Sequence, residues 1–567
     1  MYTTINEIFK QIDSNIIIGL TGRTGSGCTT LSKFLSSEFE IDDAAPSNMT
    51  NKNERRKYRI VRDYIKANWS PFTRIQLSNI ITSFIFDYEG DFFTKLVVEI
   101  HNEIEIKKRF NELKEIYKTN VLLLNDKETI DETKIETTYD FYFNILPKFS
   151  EELRECLSIN YTKIFQDIGD NIRRAGMIYD GKSDPNKFYC IMQRTNQLMH
   201  IAKLYNKNLK ERGREIKDYF VIDAFRNPYE ALFFKSKYSY FYLISISTTK
   251  SERESRLMEL YKYTKKDIES ISSREFPDND VDFEKIDVKS CIEHSDIHIE
   301  NPNNNTFNKF SNLKYHIAKY IALMMHPGLI TPSKDERCMQ IAYTAKFNSG
   351  CISRQVGAVV TDQDYSIKSI GWNDTPYGQV PCLLRSMKDL INRNDEVAYS
   401  DYELKNTDFY EIVKKKYSQR INNPCLKGKN YSYCFKDIHY YDISKKVSKA
   451  LYVRALHAEE NAFLQIAKYS SGGIKSGTLY VTASPCDLCS KKAYQLGIKR
   501  IVFIDTYPGI AQDLVLNCGE NRPLVEIFSG AVGRAYHHLY EPIMPYKDEL
   551  STIFTDSEKE KNMPCSM

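Results

Sequence analysis

Two short segments in the C-terminal half carry residue types that bind metal ions, and any fold of this chain has to bring them together. The first, HAEEN, begins at His457, and the second, SPCDLC, contains Cys486 and Cys489. Pro485 suits the first turn of a helix, so the two cysteines are expected one turn apart on the same helix face, within reach of one ion. His457 adds a third ligand at the start of another predicted helix. The positive ends of both helix dipoles would then face the site and favour thiolate over thiol.

The number of ligands separates a catalytic metal site from a structural one. Three protein ligands leave the fourth tetrahedral position of a zinc ion for water, whereas a structural site closes it with a fourth cysteine or histidine. Glu459 is not needed as a ligand and is placed to act as the general base. The order H-x-E followed by P-C-x-x-C is typical of zinc deaminases. The alternative makes Cys486 and Cys489 a redox pair or half of a zinc ribbon, with His457 and Glu459 on a helix surface.

The sequence around these segments resembles the deoxycytidylate deaminases across nearly the whole C-terminal region. The resemblance rests on ERCMQIAYTAKFNSGCISRQVGAVV, on GWNDTPYG, on HAEENA and SPCDLC, and on GIKRIVFIDTYP. It implies that Glu459 is the proton shuttle and that Asn373 contacts the sugar, although Asn373 also suits a turn beside Asp374. The zinc ligands that the resemblance implies are His457, Cys486 and Cys489.

Three further residues are candidates for contact with the pyrimidine nucleotide. Ala358 and Ser484 are placed to present backbone carbonyl and amide groups to the base, but small residues at strand ends are also common for packing alone. Tyr507, in the segment DTYP, is placed to cover the base or sugar, and an interior aromatic is an equally good interpretation.

An insertion before HAEEN contains further potential metal ligands. Their residue types suit a second, structural zinc site, but their spacing is irregular, and unpaired buried thiols are the commoner outcome. The four residues are Cys382, Cys425, Cys434 and His439.

A second motif lies near the N-terminus. The apolar run IIIGL, the glycine-rich GRTGSGCT and the helix-like TLSKFLSSEF follow the order strand, loop, helix that is typical of a phosphate-binding loop. Cys28 stands where such a loop carries lysine, so binding through backbone amides is expected without efficient phosphoryl transfer. Arg23 either replaces the missing charge or is an exposed loop arginine, and Thr29 is placed to reach a magnesium ion. The predicted nucleotide-binding residues are Gly22, Arg23, Gly25, Gly27, Cys28 and Thr29.

The remaining pattern predicts two α/β domains. The apolar strands YFVIDAF and FYLISIS alternate with helical stretches, and the segment with Asp223, Arg226 and Glu230 resembles the second acidic strand of nucleotide kinases. We therefore predict an N-terminal P-loop kinase-like parallel α/β domain, regulatory in role, and a C-terminal cytidine-deaminase-like three-layer α/β domain. The predicted boundaries are 1–299 for the kinase-like domain, 300–326 for an asparagine-rich linker, 327–550 for the deaminase domain and 551–567 for a loose tail.

Composition limits the partners and the compartment. The chain has 567 residues and a net charge of only +4, with basic and acidic residues interleaved, which argues against a nucleic-acid polymer and leaves room for a small anionic ligand. Thirteen cysteines, an odd number, do not suggest a disulfide framework. No apolar window is long enough to span a bilayer, and no signal peptide is evident, so we expect a cytoplasmic protein without membrane contact.

With its N-terminal domain, the chain resembles the bacterial anti-phage dCTP deaminases, which deplete the deoxycytidine nucleotide pool during infection. The resemblance implies a homo-oligomer, an inhibitory RNA partner and hydrolytic deamination of free dCTP, dCMP or both. A regulatory nucleotide such as dTTP, with or without Mg²⁺, is the ligand expected in the N-terminal domain. The alternatives are a housekeeping dCMP deaminase that supplies dUMP, an RNA or DNA cytidine deaminase, and a kinase with a regulatory deaminase-like domain, against which Cys28 speaks.

Overall fold

A computed structural model describes most of the chain and divides it into two compact units. Unit 1 comprises Met1–Thr331 with Arg534–Met567, and unit 2 comprises Pro332–Gly533. Within these bounds the described residues are 8–9, 14–43, 45, 49, 51–96, 98, 100–122, 124, 131–179, 181–214, 216–276, 282–302, 311–443, 452–469, 473–505 and 511–561.

The strands of the described residues, in chain order, are β1 (Ile17–Thr21), β2 (Thr73–Gln76), β3 (Phe220–Phe225), β4 (Phe241–Ser247), β5 (Ile297–Glu300), β6 (Gly357–Thr361), β7 (Ile367–Trp372), β8 (Thr478–Ala483), β9 (Arg500–Asp505), β10 (Leu524–Ile527) and β11 (Gly530–Ala531).

The α-helices of the described residues are α1 (Cys28–Leu35), α2 (Lys52–Asn68), α3 (Leu77–Asp87), α4 (Glu103–Asn120), α5 (Ile135–Asp140), α6 (Leu146–Leu157), α7 (Tyr161–Ala175), α8 (Cys190–Glu211), α9 (Pro228–Lys237), α10 (Lys250–Tyr261), α11 (Lys265–Glu275), α12 (Val288–Glu293), α13 (Ser311–Met325), α14 (Lys334–Ala345), α15 (Met387–Asn392), α16 (Asp401–Lys405), α17 (Thr407–Tyr417), α18 (Phe435–Ile438), α19 (Ala458–Tyr469), α20 (Asp487–Gln495), α21 (Gly533–Tyr540) and α22 (Tyr546–Lys561). Across the part of the chain described, none of these helices combines the length and the apolar content needed to cross a membrane.

Unit 1 is built on a parallel sheet with the strand order β5-β4-β1-β3-β2. All five residues of β1 are buried, as expected for a central parallel strand that is covered by helices on both faces. The loop that follows β1 leads directly into α1, so the glycine-rich segment lies at the carboxyl end of the sheet. In a sheet of this kind, ligands bind at that end of the strands.

Unit 2 contains a mixed sheet with the strand order β10-β9-β8-β6-β7, in which β6 runs antiparallel to both of its neighbours. Successive residues of β6 face opposite sides of the sheet. Ala358 and Val360 join one core cluster with residues of α19 and α20, while Val359 joins another with residues of α14. The unit therefore has a helix layer on each face of the sheet, and α19 and α20 share the same face.

Two predicted boundaries differ from the structure. The predicted linker 300–326 includes α13, whose residues Leu313, Ile317, Tyr320 and Ile321 are buried, and the asparagine-rich residues 303–310 lie outside the described residues. The predicted tail begins inside α22. Earlier in the same helix, Glu549 Oε1 lies 2.7 Å from His326 Nε2. The predicted linker therefore includes a packed helix, and the predicted tail starts partway along another helix.

Candidate functional site

The first turns of α19 and α20 bring together the residues of the two metal-ligand segments. His457 and Cys486 each precede their helix, and their carbonyls accept helical bonds from Asn461 N at 2.9 Å and from Ser490 N at 2.8 Å. Gly371 of β7 allows the close approach of α19, because a Cβ there would lie 2.2 Å from the carbonyl oxygen of Ala458. The sequence between HAEEN and SPCDLC returns the chain through β8, which ends just before Cys486.

Three ligand atoms converge in this position. Nδ1 of His457 lies 3.4 Å from Sγ of Cys486 and 3.5 Å from Sγ of Cys489, and all three ligand atoms lie within 4.8 Å of one another. One imidazole and two thiols are the donor set of a zinc site that keeps a position open, so these residues fit a catalytic zinc ion. Among the residues that the structure describes, no other group of three or more potential ligands meets in this way.

The charges around this cluster depend on burial and hydrogen bonding. Glu459 is only 4% exposed, and burial raises the pKa of its carboxyl to about 7. The hydrogen bond with Cys489 is the main cause that lowers the pKa of the Cys486 thiol to about 3, with a further contribution from His457. A buried carboxylate and a readily ionised thiol therefore lie beside the same imidazole.

Asn373 lies at the end of β7 and holds the segment that leads into β6. Its side-chain Oδ1 accepts a hydrogen bond from Val356 N at 2.7 Å, and Nδ2 donates to the carbonyl of Arg354 at 2.8 Å. The residue is 9% exposed. Because an amide nitrogen has two hydrogens, one donor of Asn373 remains for a ligand. The predicted turn role and the predicted sugar contact are thus compatible at this residue.

A second polar contact continues from this segment and was not anticipated from the sequence. The guanidinium of Arg354 pairs with the buried carboxylate of Asp505 at the end of β9. The carbonyl of Asp505 in turn accepts a hydrogen bond from Ser484 N at 2.8 Å. These contacts connect Asn373, through the main chain of Arg354, to the turn that carries Cys486. Neither Arg354 nor Asp505 belongs to a metal-ligand pattern, so only the tertiary structure reveals that they pair.

The other predicted substrate contacts are placed differently. Ala358 is fully buried as the second residue of β6 and pairs with Gly371 on one side and Val481 on the other. Ser484 is partly buried directly after β8, two residues before the candidate ligand Cys486. Tyr507 lies outside the described residues, so its predicted cover over the base or sugar stays a prediction.

The four potential ligands of the insertion do not form a second metal group within the described residues. His439 stacks on Tyr452 with a ring separation of 3.8 Å, and Cys425 is exposed. Cys382 is buried and Cys434 is partly buried, as expected for structural thiols. The insertion instead has its own apolar core, together with a buried ion pair between Arg385 and Glu403.

The glycine-rich loop of unit 1 contains three glycines whose backbone conformation other residues rarely adopt. Gly22, Gly25 and Gly27 all have positive φ angles, of 155°, 91° and 114°. A Cβ at Gly27 would lie 2.4 Å from Nδ2 of Asn301, which donates to the carbonyl of Ser26 at 2.8 Å. Cys28 is buried, and burial raises the pKa of its thiol to about 12, so the thiol is neutral where a lysine would be cationic.

A cavity of about 820 Å³ opens beside this loop. Its lining includes the predicted residues Arg23, Gly25, Gly27, Cys28 and Thr29, and the volume lies in the usual range for small-molecule sites. Of the acidic residues that line it, Asp223 accepts from Ser32 Oγ at 2.9 Å and pairs with Arg74 at 3.1 Å, while Glu230 pairs with Arg173. The Asp223 carboxylate is therefore already paired with a cation of the protein.

Comparison with known proteins places the C-terminal region in a family. Residues 332–505 match the cytidine and deoxycytidylate deaminase zinc-binding region. The deoxycytidylate deaminase of Enterobacteria phage T2 is 32% identical over 201 residues, which cover 35% of this chain and 92% of that enzyme. The phage T4 enzyme is 31% identical over 35% of this chain and 89% of its own length. The enzyme of Schizosaccharomyces pombe is 27% identical over 35% of this chain and 46% of its own length.

Solved structures match the same part of the chain. The dCMP deaminase of cyanophage S-TIM5 in its apo form aligns with 35% of this chain and 100% of its own, at 22% identity and a TM-score of 0.20. A structure of that enzyme in complex with dCMP and dUMP aligns at 22% identity and a TM-score of 0.21, over 35% of this chain and 99% of its own.

Proposed function

Because this chain belongs to the deoxycytidylate deaminase family through its C-terminal region, we propose that it deaminates a free deoxycytidine nucleotide, dCTP or dCMP, giving the deoxyuridine nucleotide and ammonia. The observation that carries the proposal is the convergence of His457, Cys486 and Cys489 beside the buried carboxylate of Glu459. The family match supports deaminase chemistry in a zinc-binding domain. The choice between dCTP and dCMP and the roles of individual residues are part of the proposal.

His457, Cys486 and Cys489 are the residues that would hold the zinc ion. When bound there, zinc supplies Lewis-acid chemistry that makes water a nucleophile at neutral pH. His457 presents Nδ1 to both sulfur atoms, and the positions of both sulfur-bearing residues are fixed by the start of α20. With three protein ligands, the site leaves room for a reactant, as catalytic sites do.

Glu459 is the proton carrier in this proposal. It takes a proton from the attacking water, gives a proton to the ring nitrogen next to the reacting carbon, and helps to protonate the departing ammonia. The first turn of α19 fixes this carboxylate two residues from the ligand His457, and burial excludes bulk water from it. A rigid, water-poor setting of this kind favours a positioned acid and base over solvent-mediated proton exchange.

Asn373 and Ser484 are the residues that we assign to the nucleotide. The remaining N–H of the Asn373 amide is available to a sugar hydroxyl, and the backbone next to Ser484 is available to the pyrimidine. Ala358 stays assigned to the pyrimidine through its backbone groups, and Tyr507 stays assigned to the base or sugar. Arg354 ties the Asn373 segment to Asp505, and we assign it a positioning role.

The role that we propose for unit 1 is regulation. A loop that keeps its glycines and loses the lysine is suited to hold phosphates through backbone amides without fast phosphoryl transfer. We propose that it binds a regulatory nucleotide such as dTTP, and that the kinase-like relationship of this unit lies in its fold and not in catalysis. A homo-oligomer and an inhibitory RNA partner remain proposals from resemblance.

The cellular role that we propose is depletion of the dCTP pool during phage infection. Deaminating dCTP would remove a DNA precursor that a replicating phage needs, whereas deaminating dCMP alone would supply dUMP, as in the housekeeping alternative. The decisive cellular measurement is the dCTP concentration after infection, in cells that express the full chain or its Glu459→Gln variant. An equal fall of dCTP in both strains would contradict the proposed role.

Release of ammonia from four substrates tests the enzymatic proposal directly. The full chain is incubated with dCTP, dCMP, cytidine and a cytosine-containing single-stranded oligonucleotide, and zinc content is measured on the same preparation. We expect turnover of one or both free deoxynucleotides and little from the oligonucleotide. Faster turnover of the oligonucleotide would favour the nucleic-acid deaminase alternative, and no turnover of any substrate by the zinc-loaded chain would contradict the assignment.

A further inference from the structure

Arg226 has a position in the unit 1 cavity that its sequence context does not explain. It follows β3 by one residue, lines the cavity, and donates from Nη1 to Thr24 Oγ1 of the glycine-rich loop at 3.1 Å. Its side chain is 28% exposed and belongs to the lining of the cavity, so a ligand in the cavity would lie beside it. A fixed cation thus contacts the loop whose usual lysine is replaced by Cys28.

The partner of this cation is a carboxylate that also binds the loop. Glu275, the last residue of α11, is fully buried, and its Oε1 pairs with Arg226. The same oxygen accepts a hydrogen bond from Thr24 N at 2.9 Å and another from Thr24 Oγ1. Oε2 of Glu275 has no hydrogen-bond partner among the described residues. One protein carboxylate therefore occupies donors that would also suit an anionic ligand.

Two further arginines lie around this contact, on the loop and on α10. Arg23 stacks on Phe276 with its guanidinium 4.4 Å from the ring centre, and its Nε has no hydrogen-bond partner among the described residues. Burial and the neighbouring Arg253 guanidinium lower the pKa of Arg23, while Glu275 and Glu254 oppose that effect. Crowded, partly desolvated cations are stabilised by an added anion.

Arg256 adds to this positive charge from α10. It donates to the carbonyl of Asn301 at 2.8 Å and lines the same cavity as Arg23 and Arg226. Arg23, Arg226 and Arg256 therefore all line the cavity together with the loop, which can also offer backbone amides. The other charged residues of the lining are Arg154, Arg173, Glu155, Asp223, Glu230 and Glu259.

We propose that Arg226 is the phosphate-binding cation of the unit 1 cavity, and that it binds a polyphosphate chain by exchanging Glu275 for a phosphate oxygen. Guanidinium groups suit phosphate because they donate two parallel hydrogen bonds. Cys28 is neutral and cannot supply the positive charge that a lysine at its position would give to a phosphate. The inference rests on the proposal that the loop binds nucleotide, and it adds the residue that replaces lysine and the carboxylate that opposes binding.

Calorimetric titration of the full chain with sodium tripolyphosphate tests this exchange. Glu275→Gln keeps the side-chain shape and removes the competing charge, so we expect it to tighten binding by about threefold or more. Arg226→Gln alone would leave Glu275 buried without its cation and endanger the fold. We therefore use the double variant Arg226→Gln/Glu275→Gln, in which we expect binding to weaken by at least about tenfold relative to Glu275→Gln.

Two further variants make the result interpretable. Arg109→Ala removes one exposed positive charge on α4 of the same unit and should leave the affinity unchanged. Gly27→Val should abolish binding at the loop, and any signal left in it reports tripolyphosphate bound elsewhere, the zinc site included. Equal affinities of Glu275→Gln and a folded double variant would overturn the role of Arg226 and leave loop binding intact. If neither wild type nor Glu275→Gln binds tripolyphosphate at the loop at roughly 1 mM ligand, both the role of Arg226 and nucleotide binding by the loop are overturned.

Discussion

Two consecutive glutamates on the first turn of α19 have different environments. Glu459 is buried beside the metal-ligand cluster, whereas Glu460 is partly exposed and pairs with Lys492. Both have the same chemistry and the same helix, so their environments alone distinguish them. This gives a matched pair of variants for the proton-transfer role.

We expect Glu459→Gln to retain zinc and to lose deaminase activity by several orders of magnitude, because an amide cannot carry the proton. Glu460→Gln should keep nearly full activity. The measurement is ammonia release per bound zinc for both variants. Substantial turnover by zinc-loaded Glu459→Gln would remove Glu459 from the mechanism, and a similar loss in both variants would indicate a structural effect of charge on α19.

The cysteines give a second prediction at the same scale. Cys486→Ala or Cys489→Ala should lose zinc, activity and some stability, because metal binding contributes to the free energy of folding. Cys425→Ala changes an exposed thiol of the insertion and should keep the zinc, the activity and the stability of the wild type. Zinc per chain, measured by atomic spectroscopy, checks this, and undiminished zinc in either of the first two variants would show that the ligands are misassigned. Loss of zinc from Cys425→Ala would indicate a second site.

At the residue scale, the sequence predicts what depends on residue type and order and misses what depends on tertiary contact. The cluster of His457, Cys486 and Cys489 was accessible because the ligand chemistry itself fixes the spacing. The pairing of Glu275 with Thr24 and Arg226 was not, because a glutamate at the end of a charged helix usually faces solvent. Only its complete burial in the folded chain distinguishes it.

At the scale of elements, α19 packs closely against β7 at Gly371. A Cβ at Gly371 would lie 2.2 Å from the Ala458 carbonyl oxygen and 2.6 Å from Ala462 N, so the backbone of α19 itself would have to move. Gly371→Ala should therefore destabilise the chain by about 1–3 kcal/mol and reduce activity. Gly473→Ala has open space at its Cβ and is the control.

Urea unfolding and ammonia release, measured on both glycine variants, separate the two effects of this change. A lower unfolding midpoint together with lower activity in Gly371→Ala alone is the expected result, because α19 carries Glu459 and follows His457. A wild-type midpoint in Gly371→Ala would mean that β7 and α19 tolerate a methyl group between them.

Elements with a strong local pattern were predictable, and those with a mixed pattern were not. The apolar runs of β1, β3 and β4 predict strands because parallel central strands are apolar throughout, and the structure has strands there. The helix α13 was missed because asparagines precede it, although Leu313, Ile317, Tyr320 and Ile321 repeat at helical spacing. Composition averaged over the segment concealed a periodicity that begins only at its end.

At the scale of the whole molecule, the division into units departs from the order of the sequence. Arg534–Met567 groups with the N-terminal unit, although the chain reaches it after completing unit 2. Within unit 1, Gly328 N donates to the Leu539 carbonyl at 2.9 Å, and His326 contacts Glu549. Such long-range pairing leaves no local signal, so the predicted boundary at residue 550 could not be corrected from sequence alone. Unit 1 therefore contains segments from both sides of the deaminase region.

The regulation that we propose would require both units, and the glycine-rich loop provides its test. If a nucleotide such as dTTP binds the loop and controls deamination, the coupling free energy should be about 1–3 kcal/mol, or a change in rate or affinity of roughly fivefold to 150-fold. Gly27→Val should abolish that response, because its φ of 114° is strained for valine and its Cβ would meet Asn301. Gly213→Val also has a positive φ, of 83°, but nothing lies within 4 Å of its Cβ.

Ammonia release is measured against dTTP concentration for wild type, Gly27→Val and Gly213→Val, with zinc content checked in each. We expect wild type and Gly213→Val to respond to dTTP, and Gly27→Val to keep its zinc and its unregulated rate. Because Gly213→Val shares the backbone strain without the steric contact, its retained response would assign the loss to the loop. The same dTTP response in all three proteins would remove the sensing role from the loop, and rapid ATP hydrolysis by the intact chain would restore the kinase alternative.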